Sequence, residues 1–230
     1  MKRKFNTKRA VTLAMFTALA YASLFVMRIS GVGGFLTFDV KDAIITIAAM
    51  IFGPLPGIII SLMVSFFEMI SVSGTGPWGF LMNFSSSATF AAVGSSFYYY
   101  MPKLKKTFAG AILGLSCSVV ITTGVMLLLN LLVTPIYQNV PVEVVKNMIL
   151  PLLLPFNLIK TTLNASIVLA VYKSISMSLK KAKLIDSRDG EKFRFDKKTA
   201  ILTIICVAVI TTCVLLLVFY LNGHFEWIRK

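Results

Sequence analysis

Residues 10–29 read AVTLAMFTALAYASLFVMRI, twenty residues with one charge, Arg28, near the end. As a helix rising about 1.5 Å per residue, this stretch is roughly 30 Å long, the thickness of a bilayer's hydrocarbon core. The basic start and the small residues Ala20 and Ala22 give it the outline of a secretory leader. Its apolar run outlasts the roughly 7–15 residues of a leader, and further apolar runs follow, so it is read as a retained membrane span. Composition points the same way: 57% of the chain is hydrophobic, 14% is charged and the mean hydropathy is +0.84. A soluble domain carries about 25% charged residues. A water-soluble fold of 230 residues could not hide so much apolar surface, whereas a bilayer can.

Outward from this span, a glycine-rich loop (30–38) and a charged step, Asp39-Val40-Lys41-Asp42, lead into a short second span over 43–52 that starts within that step. The turn Gly53-Pro54-Leu55-Pro56-Gly57 breaks the helix, because proline lacks a donor and glycine relaxes the backbone. Further spans are predicted over 58–72, 78–101, 108–133, 148–175 and 199–221, with Tyr98, Tyr99 and Tyr100 as an interfacial aromatic belt. No internal repeat is evident. Basic residues cluster in 1–9, 103–106 and 173–198, and an even number of spans separates each cluster from the next. The intervening loops carry few basic residues. The positive-inside rule therefore puts the N-terminus and these clusters in the cytoplasm, and the C-terminal tail outside.

The same clustering excludes nucleic acid as the partner of the +14 net charge, since the basic residues flank apolar runs and form no binding face. Cys117, Cys206 and Cys213 all fall inside apolar runs and read as small packing residues. With His224 as the single histidine, a multi-histidine metal site is excluded. The chain has no Gly-x-x-x-x-Gly-Lys-[Ser/Thr] loop to cradle a nucleotide phosphate, so it cannot power transport by its own ATP hydrolysis. An intramembrane hydrolase would need a nucleophile and base, and no histidine lies within a span; Lys160 is the one candidate base. A self-sufficient secondary transporter would show repeats and coupling carboxylates, for which Glu68 alone is thin support.

Polar residues inside spans are costly and face the bundle or a cavity. In Pro155-Phe156-Asn157-Leu158-Ile159-Lys160-Thr161-Thr162-Leu163-Asn164, the residues Asn157, Lys160 and Asn164 are spaced three and four apart and share one helix face. A lysine there must pair, snorkel or line a wet pocket, and the flanking asparagines favour the pocket. Asn130, Asn83, Glu68 and the Asp39 step project to a similar depth, although any one asparagine could serve only as an interhelical tie. Glu68 and Lys41 read as interfacial and rank below the asparagines. A pocket of neutral donors and acceptors, one cation and many aromatic side chains suits a flat, mostly neutral heteroaromatic ligand. It does not suit an ion, because no carboxylate cluster is visible. Ala10, Ala14, Ala18 and Ala22 recur every fourth residue in the first span, a stripe that either packs within the bundle or admits another helix closely.

With these residues in hand, the chain resembles the substrate-binding S components of energy-coupling-factor (ECF) transporters, and among them the riboflavin-specific branch. The resemblance covers residues 8–181. It is carried by the alanine stripe, Phe38-Asp39-Val40-Lys41-Asp42, Phe52-Gly53-Pro54-Leu55-Pro56-Gly57, Gly76-Pro77-Trp78-Gly79-Phe80-Leu81-Met82-Asn83, and Asn157 with Lys160. It implies an all-α polytopic bundle: a six-helix substrate-binding domain over 1–181, then a basic cytoplasmic linker (182–198), an additional transmembrane helix (199–222) outside the usual pattern, and a polar tail (223–230). By the same resemblance, Asn130, Asn157 and Lys160 contact the ligand, with Asn83, Asn164, Phe38 and Trp78 as further candidates, and the loop after the first span is a lid. Ala10, Ala14 and Ala18 would meet a membrane coupling subunit that works with two cytoplasmic ATPases in a bacterial plasma membrane. Riboflavin is the expected cargo and no cofactor is implied; flavin mononucleotide or another vitamin is the alternative. The last span, evenly apolar, reads as a lipid-facing anchor.

Overall fold

The computed structural model describes residues 7–32, 36–72, 74–182, 184, 197–220 and 224–225. Each apolar run becomes a helix: α1 (Thr7–Val26), α2 (Lys41–Phe52), α3 (Pro54–Ser71), α4 (Gly76–Tyr100), α5 (Phe108–Gln138), α6 (Val142–Met148), α7 (Leu154–Lys181) and α8 (Lys197–Leu215). A π-helical turn, Ile149–Leu153, joins α6 to α7, so Pro151 and Pro155 widen the helix without ending it. The expected linker at 182–198 lies almost wholly outside the described residues, as does most of the tail.

Among the described residues, five helical stretches are long and apolar enough to cross a membrane: Thr7–Val26, Pro54–Ser71, Phe108–Gln138, Val142–Leu179 and Thr203–Tyr220. Helices α2 and α4, both read as spans from sequence, fall outside this set for different reasons. Helix α2 has twelve residues, about 18 Å at 1.5 Å per residue. Ten of the twelve are buried, so it is an interior helix sheltered by α1, α3, α4 and α7. Helix α4 is long enough, but its serines and glycines dilute its apolar character.

The glycine-rich loop is a correction to the sequence reading. Helix α1 ends at Val26, and the chain turns into a hairpin of β1 (Arg28–Val32) and β2 (Leu36–Asp39). Two residues of the tail form β3 (His224–Phe225), which pairs antiparallel with β1 and gives the sheet order β2-β1-β3. The hairpin after α1 and residues 224–225 therefore lie at the same end of the bundle.

The main core gathers Phe16 and Leu24 of α1, Ile45 and Ala48 of α2, Val64 of α3 and Phe90 of α4. A second cluster, under the sheet, holds Ile29, Phe38, Phe156, Leu163, Cys213 and Leu217. Helix α8 thus packs against α7 along one face, while Ile204, Val207 and Phe219 on other faces stay exposed as an anchor requires.

Gly53 and Gly114 are two of the points where the packing requires glycine. Gly53 has φ +106°, a region that L side chains rarely adopt, and it lets α3 begin at Pro54 directly after α2. At that corner Arg9 Nη2 donates to the Phe52 carbonyl at 3.0 Å, placing a cation on the C-terminus of α2. Gly114 of α5 lies against the backbone of α4, and a Cβ there would collide with the Gly94 carbonyl oxygen. Backbone cannot step aside as a side-chain tip can, so Gly114→Ala should lower the thermal midpoint of the detergent-solubilised protein, by about 1–3 kcal/mol of overpacking. Gly124→Ala in the same helix meets nothing within 4 Å and should be neutral or mildly stabilising. Equal midpoints for the two variants would show that α4 and α5 are not in backbone contact.

Candidate ligand-binding site

The polar face of α7 turns inward. Asn157, Lys160, Thr161 and Asn164 are all buried, Lys160 at 7% exposure, so the lysine does not reach into lipid. Asn157 Nδ2 donates to the Leu153 carbonyl at 2.8 Å and Thr161 Oγ1 to the Asn157 carbonyl at 2.7 Å. These bonds satisfy part of each side chain within the helix. Asn164 spends its amide differently. Its Oδ1 accepts from the Ala43 amide at 3.0 Å, and its Nδ2 donates to the carbonyls of Lys160 at 3.0 Å and Asp39 at 3.3 Å. Helix α2 has no side-chain cap of its own at Val40, so Asn164 supplies an acceptor to one of its first-turn amides and ties α7 to the end of β2.

Around this tie, three carboxylates and two ammonium groups converge. Lys41 Nζ lies 3.0 Å from Asp39 Oδ2 and 2.8 Å from Glu68 Oε2. Lys160 Nζ lies 3.7 Å from the same Asp39 oxygen and 3.9 Å from Asp42 Oδ2. Ser87 Oγ of α4 donates to the other Asp42 oxygen. Lys41 is fully buried, and Asp39, Asp42 and Glu68 are each exposed by 3% or less. The network links β2, α2, α3, α4 and α7 at one end of the bundle. Removing either lysine would leave a further buried carboxylate uncompensated, at a cost of about 3–5 kcal/mol.

Two expectations are corrected here. Glu68 and Lys41 are not interfacial: they form the shortest ion pair of the network. The carboxylates that seemed dispersed along the chain do cluster, but lysines face them, and among the described residues no set of His, Cys, Asp or Glu is arranged to hold a metal ion.

The remaining candidates are spread more widely. Asn130 is buried on α5, where its Nδ2 donates to the Met126 carbonyl at 2.7 Å and its Oδ1 accepts from Thr134 Oγ1 at 2.9 Å. Asn83 is half-buried on α4. Phe38 is buried beside Phe156 in the cluster under the sheet. Trp78, at the start of α4, is 40% exposed and is not drawn into that core. A cleft of about 270 Å³ opens between α5 and α7, lined by Leu115, Ser116, Thr162 and Ser166 among others, and it includes none of the predicted site residues. On α1 the buried face is Thr12, Phe16, Ala20 and Leu24. Ala14, Ala18 and Ala22 are exposed and Ala10 is half-buried, so the alanine stripe looks outward and packing within the bundle is not its role.

Comparison with known proteins agrees with this architecture. A curated relative, the riboflavin transporter RibU of Staphylococcus aureus (strain TCH60), is 28% identical over 195 residues, spanning 78% of this chain and 98% of the relative. A solved structure described as the S component of a bacterial ECF transporter superposes with a TM-score of 0.63 at 28% identity, covering 75% of this chain and 98% of that one. These relatives are transport components and not enzymes. Residues 8–172, which include every candidate site residue, match the family model of the ECF transporter substrate-specific component, and the chain belongs to that family.

Proposed function

We propose that this chain is the riboflavin-capturing subunit of an ATP-dependent uptake transporter in a bacterial plasma membrane, with its N-terminus in the cytoplasm. The observation that carries the reading is the inward polar face of α7: a buried lysine whose ion-pair distances, 3.7 and 3.9 Å, are long, one turn from a buried asparagine. Lys41 takes the close contacts with Asp39 and Glu68, so the Lys160 ammonium retains donors for a ligand carbonyl. Asn157 and Asn130 keep part of their amide capacity for the ligand's polar edges, and Phe38, Asn83 and Trp78 complete the enclosure. Asn164, fully engaged with the protein, holds the site together and does not contact the ligand. A site built to hydrogen-bond a substrate rejects analogues lacking those groups, because its own buried polar atoms are then left unpaired. The name of the staphylococcal relative supports riboflavin as the cargo.

Partners follow from family membership and from the exposed stripe on α1. Ala10, Ala14 and Ala18 allow a helix of the membrane coupling subunit to approach closely, and two cytoplasmic ATPases supply the energy this chain cannot generate. Nucleotide-driven movement of the partners then reorients the subunit and releases the vitamin inside.

Four outcomes are expected. The purified protein should carry or take up riboflavin, seen as a flavin absorption spectrum and fluorescence quenching. Asn157→Ala should weaken affinity by about tenfold or more, roughly 1.4 kcal/mol or above, while the thermal midpoint of the ligand-free protein holds. Wild-type affinity in that variant would remove Asn157 from the site. Replacing Ala14 and Ala18 together with leucine should abolish co-purification with the coupling subunit and leave riboflavin binding intact; loss of both, or of neither, would dissociate the stripe from coupling. In a background lacking Cys117, Cys206 and Cys213, a membrane-impermeant thiol reagent should label Asn139→Cys in intact cells and Lys105→Cys only after permeabilisation. The opposite pattern would invert the orientation.

A further inference from the structure

Helix α8 and strand β3 lie beyond residues 8–172, so the family match assigns them no task. Their contacts are specific. Cys213 and Leu217, the latter fully buried, pack in one cluster with Phe156 and Leu163 of α7 and with Ile29 and Phe38 of the hairpin. Strand β3 pairs with β1 through Ile29 opposite Phe225 and Ser30 opposite His224. Strand β1 is thereby the central strand of three, with β2 on its other edge. Strand β2 ends at Asp39, whose carboxylate faces Lys160 and whose carbonyl accepts from Asn164.

A two-stranded hairpin is marginal alone; a third strand and an apolar face make it stable. Here the C-terminal segment provides both. Asp39, exposed by 2%, is held on the polar face of α7 by Lys160 and Asn164, and Phe38, exposed by 1%, lies in the apolar cluster with Phe156 and Leu163 of the same helix. A ligand exchanging with that face from this end of the bundle must displace β2, and β2 moves only with, or away from, the strand that β3 holds.

We propose that α8 and β3 form an intramolecular clamp that positions Asp39 against Lys160 and sets the rate at which ligand enters and leaves the site. Leu217 and the backbone of 224–225 are positioning elements: they act on the ligand through the sheet and touch none of its polar contacts. The proposal rests on the riboflavin-site reading above, and it differs from a lipid-facing anchor, which would leave exchange rates unaffected.

The test uses the full chain in nanodiscs. One arm, without ligand, follows hydrogen–deuterium exchange of strands β1 and β2. The other measures riboflavin association and dissociation by stopped-flow fluorescence. The variants are the double substitution His224→Pro and Phe225→Pro, which removes the β3 donors, and Leu217→Ala, which loosens the packing without touching the sheet. Ile204→Ala, at a position 69% exposed on α8, is the control, and Leu217→Met tests rescue. Both disruptive variants should speed exchange in β1 and β2 and raise association and dissociation rates together by about tenfold, with the equilibrium affinity changed far less. The control and the methionine variant should behave as wild type. Unchanged strand exchange or unchanged dissociation in both disruptive variants overturns the clamp. If the wild-type chain binds no riboflavin, the earlier reading fails instead, and the ligand-free arm alone decides whether the segment holds the hairpin.

Discussion

The arrangement depends on one oxygen atom shared between two cations. Asp39 Oδ2 faces the ammonium groups of Lys41 and Lys160 at once, 3.0 and 3.7 Å away. In a bundle whose outer surfaces meet lipid, five ionisable side chains could not be buried unless they neutralised one another. Three carboxylates against two ammonium groups leave one formal negative charge, and Ser87 contributes a hydrogen bond to Asp42 that helps to spread it. That mutual need for partners fixes the start of α2 relative to α3, α4 and α7. It also explains how Lys160 stays inside at all: Lys41 occupies the tight positions and Lys160 is held at longer range, a buried cation with donors to spare.

The rest of the packing serves that end of the bundle. Helix α2 is shorter than a full bilayer core, and its neighbours shelter almost all of it as it runs from the charged end of the bundle to the Arg9 corner. Its N-terminus is set by the charged network and Asn164, its C-terminus by Gly53 and Arg9. Small residues bring α4 and α5 into backbone contact at Gly94 and Gly114. At the far end from the charges, the Tyr98 and Tyr172 hydroxyls meet at 2.5 Å and join α4 to α7. The buried ionisable groups gather at one end, and the exposed large apolar side chains of the helices are mostly Leu, Ile, Val, Met and Phe.

How much of this was legible in the sequence differs by the range of the interaction. Helices were readable because their signal is local: a run of apolar residues long enough to span, and a period near 3.6 that put Asn157, Lys160 and Asn164 on one side. The inward turn of that side followed from the cost of a lysine in lipid. The roles of Lys41 and Glu68 were not readable, since their pairing depends on α2 and α3 folding back across the Gly53 corner, and nothing near either residue in sequence names the other. The hairpin was hidden by the apolar run continuing past Val26, where helix and strand share composition and only the glycines hint at a turn. The contribution of His224 and Phe225 was beyond reach for the same reason in extreme form, because two residues carry no periodicity.

The third strand has a consequence for how the protein is made. Chains emerge from the ribosome N-terminus first, so Ile29 is in place long before Phe225 exists, and nearly the whole polypeptide must be synthesised before the two can meet. Until α8 and the residues after it arrive, the sheet remains an unfinished pair of strands with an open edge. Closure of that surface therefore waits on α8, and a ribosome that stalls within this helix releases a bundle whose β1 edge has never been covered.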